Sequence, residues 1–262
     1  MQELYLNQRS IVHQLDARVK LVFTLAFLVC LNLTPSAAWP TYILFLTLVV
    51  SAALAARLKP KLLLTRSLIA FPFILAALPL VFTAPAPHFL LRLGGTEILI
   101  SIAGIERFIS IAIKMWISVL AAVLLGATTR FSDMSNALLQ LKAPRLLVAV
   151  ITLMWRYLFV IIEEVTRMLR ARSSRGAFTP GQRRAGGSIW WRARVTGGMA
   201  GSLFLRALER SDRVYAAMLS RGYTGDLPAG QDFSIPATEK RLLLPGILVL
   251  VLLLIIGIFT GG

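Results

Sequence analysis

The sequence has one cysteine and two histidines in 262 residues. Cys30 alone excludes an intrachain disulfide framework. His13 and His88 are far apart in the chain, so no cluster of nitrogen and sulfur metal ligands can form. Acidic residues are scarce, 12 Asp+Glu against 28 Lys+Arg. No Gly-x-x-x-x-Gly-Lys-Ser/Thr stretch occurs, so ATP phosphates find no cradle in this chain. Asp-Asp-x-x-Asp and Gly-x-Ser-x-Gly are also missing, which removes the usual metal and nucleophile motifs of a membrane-embedded enzyme. No cofactor is expected.

What is present is oil and positive charge. The chain is 57% hydrophobic and only 15% charged, with a net charge of +16. A soluble domain carries about a quarter charged residues, so this balance points to a membrane protein with its bases on the cytoplasmic side. Nucleic-acid binding, the other common source of high basicity, is disfavoured because the apolar residues come in long blocks. Cys30 lies in one of them and reads as a buried, inert thiol.

A helix needs about 20 apolar residues to cross a bilayer. Five segments approach this: residues 21–33, 39–56, 67–83, 108–127 and 242–260. Pro72 and Pro79 should kink the third. The first has a rival reading as a signal peptide, but its polar lead is long and a second apolar run follows at once. The loops alternate between basic and neutral, which predicts a cytoplasmic N-terminus, an outside C-terminus and five spans. Residues 146–162 are apolar enough for a sixth span. Arg156 at their centre, costing roughly 3 kcal/mol, and the arginines that follow favour a long cytoplasmic or interfacial helix. The expected fold is all-α: a four-span membrane domain over 1–127, a cytoplasmic helical coupling domain over 128–241 and a last transmembrane helix over 242–262.

The long basic stretch predicts three helices. Ser132 caps a short one that ends near Leu141, before Pro144. The second covers about 145–174 and the third about 189–221, each with a favourable i,i+4 pair, Glu163–Arg167 and Glu209–Arg213. Glu163 and Glu164 point about 100° apart on a helix, so they read as a solvated face, not an acid/base pair. His13 beside Asp16 reads as a local capping and packing group. Lys114, inside the fourth span, has two readings: it snorkels to the surface, or it faces the bundle as a hydrogen-bond donor. Gly186-Gly187, Gly197-Gly198 and Gly201 serve close helix approach or a hinge.

The two long helices end alike, in Ser174-Arg175-Gly176 and Ser220-Arg221-Gly222. A cation in the last turn suits the helix dipole by about 0.3–1 kcal/mol, and glycine is the usual cap. Two such ends in one basic domain also suit docking, because a guanidinium leaving a helix end forks onto a partner's carboxylate or carbonyl. A pair of them suits a partner made of two similar subunits.

Four stretches carry a family resemblance over nearly the whole chain: residues 10–21, Thr128-Thr129 through Pro144, Ser174-Arg175-Gly176, and residues 205–223. Together they resemble the transmembrane (T) component of energy-coupling-factor transporters, most closely the cobalt-type CbiQ family. Ala17 stands where a proline is common. Serine replaces alanine in both arginine triplets, with the arginines kept, and Arg172-Ser173 lies just upstream of the first. The resemblance implies a multi-pass subunit of the cell inner (plasma) membrane that couples two ABC-type ATPases to a substrate-binding (S) membrane subunit. It implies cobalt uptake, with nickel or vitamin uptake as the same role for another substrate. Ser174, Arg175, Gly176, Ser220, Arg221 and Gly222 would be the ATPase-coupling residues. An embedded enzyme or a stand-alone secondary transporter fits neither the odd span count nor the large cytoplasmic region. No nucleic acid is expected among the partners.

Overall fold

The computed structural model describes residues 10–83, 88–93, 96–175, 189–224 and 237–261. The helices in chain order are α1 (Ile11–Gln14), α2 (Ala17–Leu33), α3 (Trp39–Ala55), α4 (Pro60–Ser67), α5 (Phe71–Ala76), α6 (Leu80–Thr83), α7 (Ile102–Thr128), α8 (Phe131–Gln140), α9 (Arg145–Arg175), α10 (Ile189–Ser220) and α11 (Ala237–Gly261). The architecture is the expected all-helical one, with one exception. Strands β1 (His88–Leu93) and β2 (Thr96–Ser101) pair antiparallel, with Arg92 opposite Glu97. The sequence alone predicts a loop between the third and fourth spans. Because β2 runs directly into α7, that helix begins six residues before the expected span, at Ile102.

Among the described residues, three helices are long and apolar enough to cross a membrane: Ala103–Thr128, Arg145–Ser174 and Leu243–Gly261. Helices α2 and α3, with 17 residues each, sit at the short end of the spanning range of about 17–25. The expected third span is not one helix. A 3-10 turn, Leu68–Ala70, joins α4 to α5, and a break around Pro79 separates α5 from α6. Pro72 stands in the first turn of α5, where its missing N–H costs nothing. The prolines therefore start and stop short helices rather than kinking a long one.

The chain forms two compact units, residues 1–137 with 232–262, and residues 138–231. The core of the first lies where α2, α3, α7 and α11 pack together. Phe27 and Phe45 meet edge to face at 5.4 Å, and Leu31, Ile117 and Leu250 are fully buried beside them. Cys30 is buried there too, as expected. Glycines let α11 approach closely. A Cβ on Gly257 would come within 2.7 Å of Thr34 Cγ2 and 3.2 Å of Thr41 Cγ2. Gly104 likewise lets α7 lie on the backbone of α6, because a Cβ there would come within 2.7 Å of the Leu80 carbonyl oxygen.

The N-terminal segment is stapled by its own polar groups. Ser10 caps α1 by accepting from the His13 N–H, and its hydroxyl bonds His13 Nδ1 at 2.7 Å. Asp16 caps α2 by accepting from the Arg18 N–H at 2.9 Å. Buried Lys20 donates to the carbonyls of His13 and Thr128, at 3.2 and 3.1 Å. It thereby ties α1 to the last turn of α7. The short helix α8 begins at Phe131, so Ser132 lies inside it and is not its cap; the Ser132 hydroxyl instead meets Asp133.

Candidate functional site

Lys114 faces the bundle. Its ammonium donates to the carbonyl of Thr34, the C-cap of α2, and lies 5.7 Å from the centroid of the Tyr42 ring. A cation at a helix C-terminus is favoured by the dipole. The Tyr42 hydroxyl donates to the Pro35 carbonyl. Ser110, one turn before Lys114, accepts from the Ala37 N–H at 3.3 Å. Ala37 is left-handed, with φ +75°, a conformation that a residue with a Cβ adopts at a cost. Helix α7 thus clamps the tight turn between α2 and α3 at two points, and Tyr42 of α3 adds a third. Of the two sequence readings of Lys114, the donor inside the bundle is the one that the geometry supports.

The second unit is built on α9 and α10, which pack against each other. Their limits fall within one residue of the expected ones. Both expected i,i+4 pairs form, Arg167–Glu163 at 3.2 Å and Arg213–Glu209 at 3.9 Å. Glu164 departs from the solvated-face reading. Its side chain is only 18% exposed, and it pairs with Arg206 of α10 and, at 3.8 Å, with Arg167 of its own helix. The adjacent carboxylates diverge as helix geometry requires, one towards solvent and one towards the neighbouring helix.

Helix α10 ends in a complete Schellman cap. The Gly222 N–H donates to the Leu219 carbonyl at 3.0 Å, and the Tyr223 N–H to the Met218 carbonyl at 3.0 Å. Gly222 has φ +81°, the left-handed turn that glycine adopts without penalty. Arg221 is the exposed C-cap residue between helix and turn. Ser220 donates from its hydroxyl to the Ala217 carbonyl at 3.0 Å. The corresponding Ser174 donates to the Arg170 carbonyl at 2.9 Å. In both triplets the serine folds back onto its own helix beside the arginine. Arg175 is the last residue of α9, and Gly176 lies outside the described residues.

Between α9 and α10 runs a groove of about 520 Å³. Leu153, Val160, Leu203, Val214 and Met218 supply its apolar lining. Glu164, Arg206, Arg210 and Arg213 also line it, as does Tyr223 beyond the Gly222 turn. The groove therefore reaches the arginine-bearing end of α10. Gly197, Gly198 and Gly201 of the same helix have nothing within 4 Å of an added Cβ. Among the described residues they therefore make no close helix approach, and α10 runs unbroken through them. Gly186 and Gly187 lie outside the described residues. Among the described residues no group of three His, Cys, Asp or Glu is placed to hold a metal ion.

Sequence reasoning missed two features here. The Glu164–Arg206 contact joins positions 42 apart, with no local signal. The Ser110 contact to the turn, 73 positions from Ala37, is equally non-local, although the turn's position was readable.

Comparison with known proteins places these features in a family. Residues 8–231 match the family described as CbiQ: Cobalt transport protein. The energy-coupling factor transporter transmembrane protein EcfT of Brevibacillus brevis is 27% identical over 236 residues, covering 84% of this chain and 83% of that protein. An uncharacterized protein of Methanocaldococcus jannaschii is 25% identical over 229 residues, 86% of this chain and 75% of its own length. A Methanocorpusculum labreanum protein named as a fused cobalt transport protein CbiMQ is 25% identical over 230 residues, 82% of this chain and 35% of its own length.

Proposed function

This chain belongs to the CbiQ cobalt transport protein family, and we propose that it is the transmembrane coupling subunit of an energy-coupling-factor transporter for cobalt. In this reading it joins two ABC-type ATPases to a substrate-binding membrane subunit and is not itself catalytic. The observation that carries the reading is the paired design of α9 and α10. Each is over 30 residues long, and each brings a Ser-Arg pair to its C-terminal end. Long, continuously hydrogen-bonded helices transmit displacement as rigid bodies. Closure of an ATPase dimer would move both helix ends, and α9 and α10 would carry that movement towards the substrate subunit.

The topology that goes with this reading has α2, α3, the segmented α4–α6 region, α7 and α11 in the membrane, with the N-terminus inside and the C-terminus outside. Helix α9 meets the length requirement for a span, but an exposed Arg156 at its middle is costly in hydrocarbon. Its salt bridge to α10, a helix of low hydropathy with several exposed arginines, also favours a cytoplasmic or interfacial place. Cobalt is the assigned cargo because the family description and the CbiMQ relative both name it. In this reading selection of the ion falls to the substrate-binding subunit.

Co-expression tests the reading. The affinity-tagged chain, co-expressed with ATPase and substrate-binding subunits, should retain both and support ATP-dependent cobalt uptake. The tagged chain alone should hydrolyse no ATP. ATP hydrolysis by the single chain, or uptake that persists without it, contradicts the proposal.

A further inference from the structure

The first turns of α10 carry a surface that the coupling role does not use. Ile189 and Trp190 are each 85% exposed and Trp191 is 50% exposed. Arg194 follows, also exposed. The charge around them has one sign: residues 165–208 contain nine arginines and neither aspartate nor glutamate. Indole rings favour the headgroup level of a bilayer, where the ring is apolar and the N–H meets water. Clustered bases near a membrane bind anionic headgroups, about fivefold in affinity for each residue at the surface. An exposed aromatic pair in a stretch of sequence that carries arginines and no acidic residue matches the composition of an interfacial helix end.

We propose that the N-terminal turns of α10 dock on the anionic surface of the bilayer, with Trp190 and Trp191 at headgroup depth and Arg194 on lipid phosphates. The occupant is phospholipid rather than a protein, for two reasons. A one-sign, acid-free stretch complements a uniformly negative surface, whereas a protein partner offers mixed charge. The chain is also tethered to a membrane by its other helices, so that surface is always present at high effective concentration. The anchor would fix one end of α10 and leave its other end, at Arg221, to move. The inference rests on the reading of the second unit as cytoplasmic or interfacial.

The test uses the full chain with Cys30→Ser and Ala193→Cys, labelled with a fluorophore at the exposed position 193. It is placed in phosphatidylcholine nanodiscs with or without phosphatidylglycerol, which present both leaflets, so the chain's orientation does not matter. Nitroxide lipids and aqueous iodide are the two quenchers, and Asp212→Cys is the control label site. We expect strong nitroxide and weak iodide quenching at 193 in phosphatidylglycerol discs, with the opposite at 212. High salt, or Trp190→Ser with Trp191→Ser and Arg194→Gln, should return 193 to the control pattern. Iodide quenching at 193 equal to that at 212 in both lipids overturns the proposal. Shielding from both quenchers also overturns it, because protein then covers the site. Equal nitroxide quenching with and without phosphatidylglycerol removes the anionic-lipid part. ATPase retention by the same variants separates failure of the anchor from failure of the coupling role.

Discussion

Glu164 of α9 pairs with Arg206 of α10, 42 positions further along, and so joins the two helices that end in Ser-Arg. Most of the Glu164 side chain is buried, whereas Arg206 is 61% exposed. An exposed pair contributes about 0.2–1 kcal/mol, so the bond matters more for the relative placement of the helices than for stability. Glu164→Arg and Arg206→Glu should each lower transport per ATP hydrolysed while leaving membrane expression near normal. The double exchange should restore much of the coupling. Equal losses in both singles and the double, measured in proteoliposomes, would show that the pair has no positional role.

Lys114 should be a stability residue. Its bond to the Thr34 carbonyl closes the α2–α3 turn against α7, and a hydrogen bond from a charged donor is worth about 1.5–3 kcal/mol. Lys114→Met should lower the thermal unfolding temperature of the detergent-solubilised protein, with cobalt uptake falling only in step with the amount of folded protein. Uptake lost at unchanged thermal stability would instead place Lys114 on a substrate path.

The glycines should divide by their surroundings. Gly257→Leu forces α11 off Thr34 and Thr41 and should cost about 1–3 kcal/mol or more through overpacking. Gly197→Ala meets open space and should be neutral, or stabilising by up to about 1 kcal/mol through helix propensity. Thermal unfolding of both variants checks the contrast. A destabilising Gly197→Ala with unimpaired packing would point to a hinge at that position.

The topology yields a labelling prediction. A cysteine appended after Gly262, in a Cys30→Ser background, should react with an external, impermeant reagent in sealed cells. Labelling only after permeabilisation would put the C-terminus inside and require an even number of spans.

The sequence was most informative where signals are local. The limits of α9 and α10, both i,i+4 pairs and the Gly222 cap follow from neighbours within one helical turn. The Gly94-Gly95 pair between two apolar runs is a hairpin signal that goes unused when the stretch is read only for its charge. Segmentation of the third apolar stretch follows from Pro72 and Pro79, but a hydropathy window counts oil and not N–H groups. Lys114 could not be decided, because its partner carbonyl at Thr34 lies 80 positions away. The same holds for Gly104 and Gly257, whose function is set by another helix's backbone and side chains. The paired arginine motifs were legible as a pattern, whereas their docking is a property of a complex.

The central claim is that Arg175 and Arg221 dock the ATPases. Loss of an arginine from a desolvated charge pairing costs roughly 2–5 kcal/mol, whereas the helix-dipole role alone is worth only about 1 kcal/mol. Lysine should rescue in part, since an ammonium cannot reproduce the planar fork. The most direct measurement is ATPase pull-down by the tagged Arg175→Ala/Arg221→Ala chain, with its membrane expression measured in parallel. The account predicts normal expression, with the ATPases lost from the pull-down and cobalt uptake abolished. Normal retention of the ATPases with normal uptake would leave the arginines as helix caps and contradict the coupling assignment.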